Sequence, residues 1–266
     1  MTSRTKVGLS LLVVVVFLGV AIGTYLLGKS SRGTTQHSTP LVIAKGTWNS
    51  NFVPIRTCKS SYGAGPAPKV RGPSHMKLFV PTKLAGDLSF YVDTYHHLNP
   101  VLAPAGWRCT ALEGADGTSV ISVYPPGVKA PGATNATENT VGVVTTFSPF
   151  CQSCVADTVC PVFLHAETQL GYSGVYCPTY VPSTESVRFG LGNADSNYGW
   201  ALLHDPPGSQ GVIPLSGGDY PATGAVVYLR TSQAMGGNIG CALPNRYGAL
   251  CQVVVSQFVQ SLERTS

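Results

Sequence analysis

The chain has 266 residues, of which only 11% are charged, and it contains 30 glycines and 20 prolines. This length suits one β-rich domain beside a short targeting segment, and the many turn formers favour short strands joined by long loops. The formal net charge is +5 at pH 7, but the basic residues are scattered singly among Gly, Pro and Ser. The absence of a dense basic run argues against nucleic-acid binding.

Residues 8–27 form an uncharged stretch of twenty residues that follows Arg4 and Lys6. A helix of about twenty apolar residues matches the bilayer core, whereas a cleaved secretory signal has an apolar region of about 7 to 15 residues. We therefore expect an uncleaved anchor, with cleavage at Ala21-Ile22-Gly23 as the alternative. The expected organisation is a cytoplasmic N-terminus at 1–7, a transmembrane helix at 8–27, a linker at 28–45 and an extracytoplasmic globular domain at 46–266.

All eight cysteines lie beyond the apolar stretch, the first at Cys58. Disulfides form in oxidising compartments, so this placement favours an orientation with the C-terminal domain outside the cytoplasm. The flanking charges do not decide the orientation, because Lys29 and Arg32 nearly match the basic residues before the stretch. The expected localisation is the cell membrane, in a single pass, with secretion as the alternative if the segment is cleaved.

Basic residues are concentrated at the N-terminal side. Residues 1–86 contain 11 of the 17 Lys and Arg residues and no Asp or Glu, while all 12 acidic residues follow. One interpretation is that the basic 28–86 arm is attracted to anionic lipid or to an acidic cell-wall polymer, since each Lys or Arg near a charged membrane is worth about 1 kcal/mol. The other interpretation is that the arm lies on the acidic domain.

Alternating or β-branched runs bounded by turn residues predict strands at Met76–Pro81, Leu88–Asp93, Thr118–Tyr124, Val141–Phe147, Ser186–Leu191 and Ala225–Arg230. The Asp-Gly pair in 114–117 suits a tight hairpin, and 151–160 suits a short helix. Asn245 is placed to cap a C-terminal helix whose apolar face carries Cys251, Val254, Val255, Phe258 and Leu262. The predicted fold class is α+β and β-dominated: antiparallel sheet or sheets, in the simplest case a meander, with a C-terminal helix, disulfide staples and one N-terminal transmembrane helix.

Four cysteines fall within 27 residues, at Cys151, Cys154, Cys160 and Cys177. The CxxC spacing of the first two suits a zinc ligand pair or a redox-active dithiol. A zinc ribbon needs a second close pair, however, and a thioredoxin-like centre needs a βαβ pattern that the sequence lacks. Structural disulfides are therefore favoured, with no metal and no other cofactor. Proximity and isolation suggest pairing Cys241 with Cys251 and Cys58 with Cys109.

Catalytic motifs are absent or misplaced. Residues 23–30 match a phosphate-binding loop but complete an apolar membrane segment, and His165-Ala166-Glu167 lacks the downstream Pro-Cys-x-x-Cys of zinc deaminases. His204 and Asp205 are neighbours, and neighbouring strand residues point to opposite faces, so they make a weak dyad. Two enzymatic alternatives stay open: a hydrolase assembled from distant residues, and a thiol-disulfide protein that uses Cys151 and Cys154.

A binding or structural module is favoured over an enzyme. The polar loop at 192–200 leads into two aromatics, and such shelves bind sugar faces or protein partners. The candidate binding residues are Asn193, Asp195, Asn197, Tyr198 and Trp200. The expected ligand is a protein or a glycan, and packing of the aromatics in the core is the alternative.

Several runs occur in a fixed order between residues 76 and 205. They are Leu88-Ser89-Phe90-Tyr91, Leu102-Ala103-Pro104-Ala105-Gly106-Trp107-Arg108-Cys109, Gly114-Ala115-Asp116-Gly117, Val123-Tyr124-Pro125-Pro126-Gly127, and Cys151-Gln152-Ser153-Cys154 with Cys160-Pro161. In order and spacing these runs resemble an uncharacterised family, a domain of unknown function in secreted or membrane-anchored actinobacterial proteins. The resemblance implies an exported domain of this extent and assigns no catalytic residue.

Overall fold

The structure is a computed structural model, and it describes residues 47–62, 74–93, 100–128, 141–148, 151–163, 185–191, 198–229 and 235–263. These residues belong to a compact unit that spans 38–266. The predicted transmembrane helix at 8–27 and the linker at 28–45 lie outside the described residues. Among the described helices, none is long and apolar enough to cross a membrane.

Within these ranges the chain forms twelve strands and two α-helices. The strands are β1 (Trp48–Thr57), β2 (Lys59–Tyr62), β3 (His75–Pro81), β4 (Leu88–Val92), β5 (Val101–Pro104), β6 (Arg108–Glu113), β7 (Ser119–Tyr124), β8 (Gly142–Ser148), β9 (Ser186–Leu191), β10 (Tyr198–Asp205), β11 (Ala222–Leu229) and β12 (Met235–Ala242). The helices are α1 (Gln152–Val159) and α2 (Gly248–Glu263), and 3₁₀ turns occupy Thr82–Asp87 and Asn245–Tyr247.

The strands form two sheets. The small sheet has the order β3-β1-β4-β5, and the large sheet has the order β2-β6-β7-β8-β12-β11-β10-β9. Most of the large sheet consists of two antiparallel meanders, β6 to β8 and β9 to β12, which meet where β8 pairs with β12. The predicted meander arrangement is therefore found in strands β6 to β8 and in strands β9 to β12. The pairs β1–β4 and β2–β6 are parallel, which the antiparallel prediction did not include.

All six predicted strands are present, as β3, β4, β7, β8, β9 and β11. The predicted hairpin is the β6–β7 turn, in which Gly117 adopts a φ of 81°. The β-dominated class is confirmed. Six strands were not predicted from the sequence: β1, β2, β5, β6, β10 and β12. Among them β2 and β5 have only four residues each and β12 is rich in glycine, so these three lack the alternating apolar pattern of an amphipathic strand.

The central strands of the large sheet are buried on both faces, and each face has its own core. Trp200, Ala225 and Ile239 pack with α2 and the small sheet on what we term the α2 face. On the opposite α1 face, their neighbours Ala201 and Val226 pack with α1 and with the 206–220 segment. The two-residue side-chain period of a strand thus distributes consecutive residues between two separate cores.

Glycines in β12 allow the cover of the α1 face to approach closely. A Cβ at Gly236 would lie 2.8 Å from Cγ1 of Val155 in α1, and a Cβ at Gly240 would collide with the Pro214 carbonyl. The absence of side chains at these two positions lets α1 and the 206–220 segment pack directly on the β12 backbone.

The C-terminal helix is confirmed as α2, and its predicted apolar residues Cys251, Val254, Val255 and Phe258 are buried. The side chain of Leu262 lies outside the described residues. Asn245 does not cap this helix as predicted. It begins the 3₁₀ turn Asn245–Tyr247, in which the Tyr247 N–H donates to the Pro244 carbonyl, so that α2 begins three residues later.

Disulfides join Cys58 to Cys109, Cys151 to Cys154 and Cys241 to Cys251. Both pairings suggested by the sequence are confirmed. The first joins the β1–β2 junction to β6, and the third joins β12 to α2. Cys160 is also disulfide-bonded, and Cys177 lies outside the described residues.

The described part of the basic arm is folded into the domain. Residues 48–62 and 75–86 form β1, β2, β3 and the first 3₁₀ turn. The side chains of Arg56, Lys59, Lys77 and Lys83 are exposed on these elements. This portion is therefore an integral part of both sheets and leaves its charges at the surface.

Tyr91 joins β4 to the turn that follows β5. Its buried hydroxyl donates to the Pro104 carbonyl at 2.7 Å and accepts from the Trp107 N–H at 3.1 Å. Desolvation raises the pKa of Tyr91 above its ordinary value, so the phenol remains a neutral donor.

We predict that Tyr91→Phe lowers the free energy of unfolding by about 1 to 3 kcal/mol, because the Pro104 carbonyl and Trp107 N–H lose a buried partner. Urea denaturation of residues 38–266 measures the change. The control is Tyr220→Phe at a partly exposed tyrosine, with an expected change within about 0.5 kcal/mol. Equal effects of the two substitutions would contradict this role for the Tyr91 hydroxyl.

Candidate functional site

The predicted binding loop is only partly described. Asn193, Asp195 and Asn197 lie outside the described residues, and Tyr198 begins β10 with its side chain also outside them. Trp200 is 9% exposed and packs in the core of the α2 face. Its ring thus serves core packing, and a binding surface at 192–198 stays a prediction.

A cavity of about 530 Å³ lies between α2 and the ends of β10 and β11. Its apolar wall includes Leu202, Leu243, Cys251 and Val255. Polar side chains converge on it from Ser186, His204, Thr223, Asn245, Gln252 and Ser256. Among the described residues that line it, none is Asp, Glu, Lys or Arg. A concave apolar site with a few polar groups and no fixed charge suits an uncharged amphipathic molecule.

The pattern of β10 explains why the cavity forms at this place. Residues on its α2 face run Trp200, Leu202, His204, so large apolar side chains give way to a polar one as the strand ends. Thr223, opposite His204 on β11, is also polar. Trp200 therefore belongs to the core beneath α2, whereas the polar His204 lines the cavity beside that helix.

His204 has a defined orientation in the wall. Its Nδ1 lies 3.2 Å from the Thr223 hydroxyl, and its backbone carbonyl accepts from the Ser186 hydroxyl at 3.5 Å. The neighbouring Asp205 is buried on the other face of the sheet, as the strand period predicts. Within the described part of the chain, His204 has no carboxylate partner of the kind that a hydrolytic triad requires.

A second group with distinctive chemistry surrounds the Cys151–Cys154 disulfide. Cys151 is the N-cap of α1, and both cysteines are partly exposed. The carboxylate of Asp116, in the β6–β7 turn, lies beside the pair, with Oδ2 3.3 Å from Cys154 Sγ. The three possible ligand atoms are within 4.8 Å of one another. A metal would need both sulfurs as thiolates, so the disulfide has to be reduced before zinc could bind.

A third group is a buried carboxyl pair on the α1 face. Asp205, fully buried at the end of β10, contacts Glu185, which is 7% exposed just before β9. Gly211 covers Asp205 so closely that a Cβ there would collide with the carboxylate. The Val212 N–H donates to Glu185 Oε2 at 3.2 Å. No sequence motif indicated this pair, because Glu185 and Asp205 lie far apart in the chain and meet only where β9 pairs with β10.

Burial and mutual repulsion keep one proton on the carboxyl pair near neutral pH. Desolvation, followed by the charge of Asp205, raises the pKa of Glu185 from 4.5 to about 7. Desolvation also raises the pKa of Asp205, from 3.8 to about 6, while the adjacent Glu185 opposes that rise. Glu185 has the higher pKa of the two and therefore holds the proton that the pair retains.

An aromatic face lies on the small sheet, and we define it as the exposed Phe52 and Phe79 with the half-buried Trp48. Phe52 is 72% exposed and Phe79 is 50% exposed, and Phe79 stacks on Trp48 with ring centroids 5.6 Å apart. The exposed Lys77 lies opposite Phe52 in the β1–β3 register. Exposed apolar clusters of this kind are typical of interaction surfaces.

Comparison of the chain with models of known protein families, with characterised proteins and with solved structures found no match. The resemblance to actinobacterial exported proteins therefore stays an expectation. Functional inference for this chain depends on the cavity, the cysteine pair, the carboxyl pair and the aromatic face.

The carboxyl pair predicts how stability depends on pH. A carboxyl whose pKa is higher in the folded chain binds more protons when folded, so its contribution is present at low pH and is lost as pH rises. From the two shifts, the loss falls between about pH 4 and pH 7. We expect this pair to lower the free energy of unfolding by on the order of 1 to 3 kcal/mol across that range.

Substitution of the pair tests this expectation. Glu185→Gln cannot ionise at position 185, so it should remove about half of the pH-dependent loss of stability. Glu185→Gln with Asp205→Asn should remove most of that loss. Urea denaturation at several pH values measures the slope. Asp219→Asn, at an exposed carboxylate, should keep the wild-type slope. A wild-type slope in the double variant would contradict the assignment.

Proposed function

We propose that the chain is a membrane-anchored, extracytoplasmic binding protein that holds a small, uncharged amphipathic ligand in the cavity between α2 and β10–β11. The observation that carries the proposal is the cavity itself, with its apolar wall, polar rim and absence of charged side chains among the described lining residues. Its volume of about 530 Å³ is in the range of small-molecule sites. The predicted anchor and the placement of the cysteines supply the proposed location.

The lining assigns the ligand a chemical class. Leu202, Leu243 and Val255 suit an alkyl or acyl chain, whereas His204, Thr223 and Asn245 supply hydrogen-bond partners for hydroxyl groups. An acyl or alkyl glycoside combines these two parts. A glycan is one of the two ligand classes, protein or glycan, that the sequence predicts, although at a different place on the chain.

The cavity wall is held in place before any ligand arrives. The Cys241–Cys251 disulfide joins β12 to α2, and Cys251 lines the cavity directly. His204 is oriented by Thr223 across the strand pair. A preformed wall lowers the ordering entropy that binding would otherwise cost.

A specific observation favours a second contact, with the membrane surface. The aromatic face carries Lys77 beside Phe52 and Phe79, and aromatic and basic side chains together suit the interface of an anionic bilayer. We propose that the aromatic face contacts anionic lipid.

For the cavity, we predict that residues 38–266 bind n-octyl glucoside below its micelle concentration with a Kd on the order of 10 to 100 µM, from about 0.3 kcal/mol per non-hydrogen atom. Isothermal titration calorimetry measures the affinity, with glucose and octanol as separate controls for the head and the tail. Glucose and octanol should each bind at least tenfold more weakly than n-octyl glucoside.

Two variants locate the ligand. His204→Ala should weaken binding about five- to tenfold by removing a polar contact, and Gln252→Trp should block the cavity from its exposed rim. The matched control is His75→Ala, because His75 is also exposed and also contacts a hydroxyl, that of Ser74, through Nδ1. Binding that survives Gln252→Trp, or that His75→Ala weakens equally, would rule out the cavity.

For the aromatic face, we predict that residues 38–266 cosediment with phosphatidylglycerol vesicles and much less with phosphatidylcholine vesicles. Replacing both Phe52 and Phe79 by Ser should lower the bound fraction at least fivefold, because the apolar contact is lost. Lys77→Gln should weaken binding only at low salt, where charge attraction is least screened. Equal sedimentation of the wild type and the double Ser variant would exclude this contact.

A further inference from the structure

The two sulfurs of the Cys151–Cys154 disulfide lie in opposite electrostatic surroundings. Cys151 Sγ faces hydrogen-bond donors: the Cys154 N–H at 3.2 Å and the Ser153 hydroxyl at 3.5 Å. Cys154 Sγ faces an acceptor, Oδ2 of Asp116, at 3.3 Å. After reduction, the first environment favours a thiolate at Cys151, and the second favours a protonated thiol at Cys154.

The beginning of α1 strengthens the difference. Cys151 is the N-cap, and the first turn of the helix contains no acidic residue. The N-terminal end of a helix carries a partial positive charge, which stabilises an adjacent thiolate.

Asp116 is held in position by the turn that contains it. Its Oδ1 accepts from the Thr118 N–H at 3.0 Å, which leaves Oδ2 directed at Cys154. The Gly117 N–H donates to the Gly114 carbonyl at 3.1 Å and closes the turn. Gly114 has no Cβ, and one built there would collide with the Asp116 carboxylate. The glycine at position 114 therefore leaves the space that the Asp116 carboxylate occupies in the β6–β7 turn.

The Cys151–Cys154 bond also differs in context from the other described disulfides. Cys58–Cys109 and Cys241–Cys251 join separate elements and each contain a fully or nearly fully buried cysteine. Cys151–Cys154 spans three residues at one helix end, and both its cysteines are partly exposed. Val155 and Val159 already fix α1 on the sheet by burial. The Cys151–Cys154 bond is thus accessible to a partner molecule, and it does not connect two separate secondary-structure elements.

We propose that Cys151, Cys154 and Asp116 form a thiol-disulfide exchange site that oxidises dithiols of exported polypeptides, with Asp116 as the proton relay of Cys154. This activity is independent of ligand binding in the cavity. Its substrate class is a peptide with two cysteine thiols in reach of each other.

Oxidation of the substrate takes place in two exchange steps. A substrate thiolate attacks Cys151 Sγ, a substrate–Cys151 disulfide forms, and the Cys151–Cys154 bond breaks. Cys154 leaves with the electron pair and takes a proton from solvent through Asp116. The second substrate thiolate then attacks the substrate sulfur bound to Cys151, and Cys151 leaves as a thiolate. The substrate has lost two electrons to the protein, and a second disulfide accepts them when the Cys151–Cys154 bond re-forms.

Attack at Cys151 is the favoured direction. The Asp116 carboxylate repels an incoming thiolate from Cys154, whereas the donors around Cys151 Sγ attract it. Cys151 is therefore the sulfur that carries the mixed disulfide.

The first test uses the full-length protein in detergent, titrated with reduced glutathione, trapped with N-ethylmaleimide and mapped by peptide mass. The Cys151–Cys154 bond should open at a glutathione concentration at least tenfold below that needed for Cys58–Cys109 and Cys241–Cys251. The oxidised protein should also convert one equivalent of a fluorescent two-cysteine peptide to its disulfide. If the Cys151–Cys154 bond resists reduction as well as the other two, the proposal fails.

Variants assign the roles. Cys154→Ser should accumulate a mixed disulfide with the oxidised peptide through Cys151, and Cys151→Ser should accumulate at least tenfold less. Asp116→Asn should slow peptide oxidation about tenfold or more and flatten its pH profile, because the proton relay is lost. Asp157→Asn, which removes an exposed carboxylate from α1 itself, should match the wild type.

Protection of the Cys58–Cys109 and Cys241–Cys251 pairs from alkylation reports folding of each variant. A folded Asp116→Asn variant with the wild-type rate and pH profile would overturn the relay. Reduced protein that binds zinc tightly and leaves the peptide unoxidised would overturn the exchange site in favour of a metal site.

Discussion

The central strands of the eight-stranded sheet are buried on both faces, and the helices, the small sheet and the 206–220 segment cover them. A strand sends consecutive side chains to opposite sides, so β10 and β11 supply two separate cores from one alternating sequence. The α2 helix and the small sheet cover one face, while α1 and the 206–220 segment cover the other. Glycines in β12 let the second cover lie directly on the strand, because a side chain there would collide with Val155 or Pro214.

The candidate sites lie where these covering layers begin or end. The cavity forms where the α2 face of β10 changes from Trp200 and Leu202 to His204. The cysteine pair lies at the first turn of α1, and the carboxyl pair lies beneath Gly211 at the end of β10. The cavity and the cysteine pair lie where a covering layer stops on the rigid sheet, which gives their polar groups fixed positions and partial access to solvent. The carboxyl pair is enclosed instead.

The carboxyl groups of the candidate sites lie in two kinds of environment. The Glu185–Asp205 pair is enclosed and keeps a proton, because two adjacent carboxylates in a desolvated site cannot both ionise at low cost. Asp116 remains exposed and is fixed by the Thr118 N–H beside a sulfur. The buried pair is expected to make the free energy of unfolding depend on pH. The exposed Asp116 places a negative charge beside Cys154, where it would act in the proposed thiol-disulfide exchange.

The sequence by itself determined the local features: the β-dominated class, six strands, the 114–117 hairpin, the C-terminal helix and two disulfide pairings. These depend on side-chain period, turn chemistry and cysteine spacing, all of which are local in the chain. Only the tertiary structure decided that Asp116 meets Cys154, that Glu185 meets Asp205 and that Trp200 is in the core while His204 lines a cavity. Those contacts follow from which strands pair and which face each helix covers, and a one-dimensional pattern leaves both undetermined.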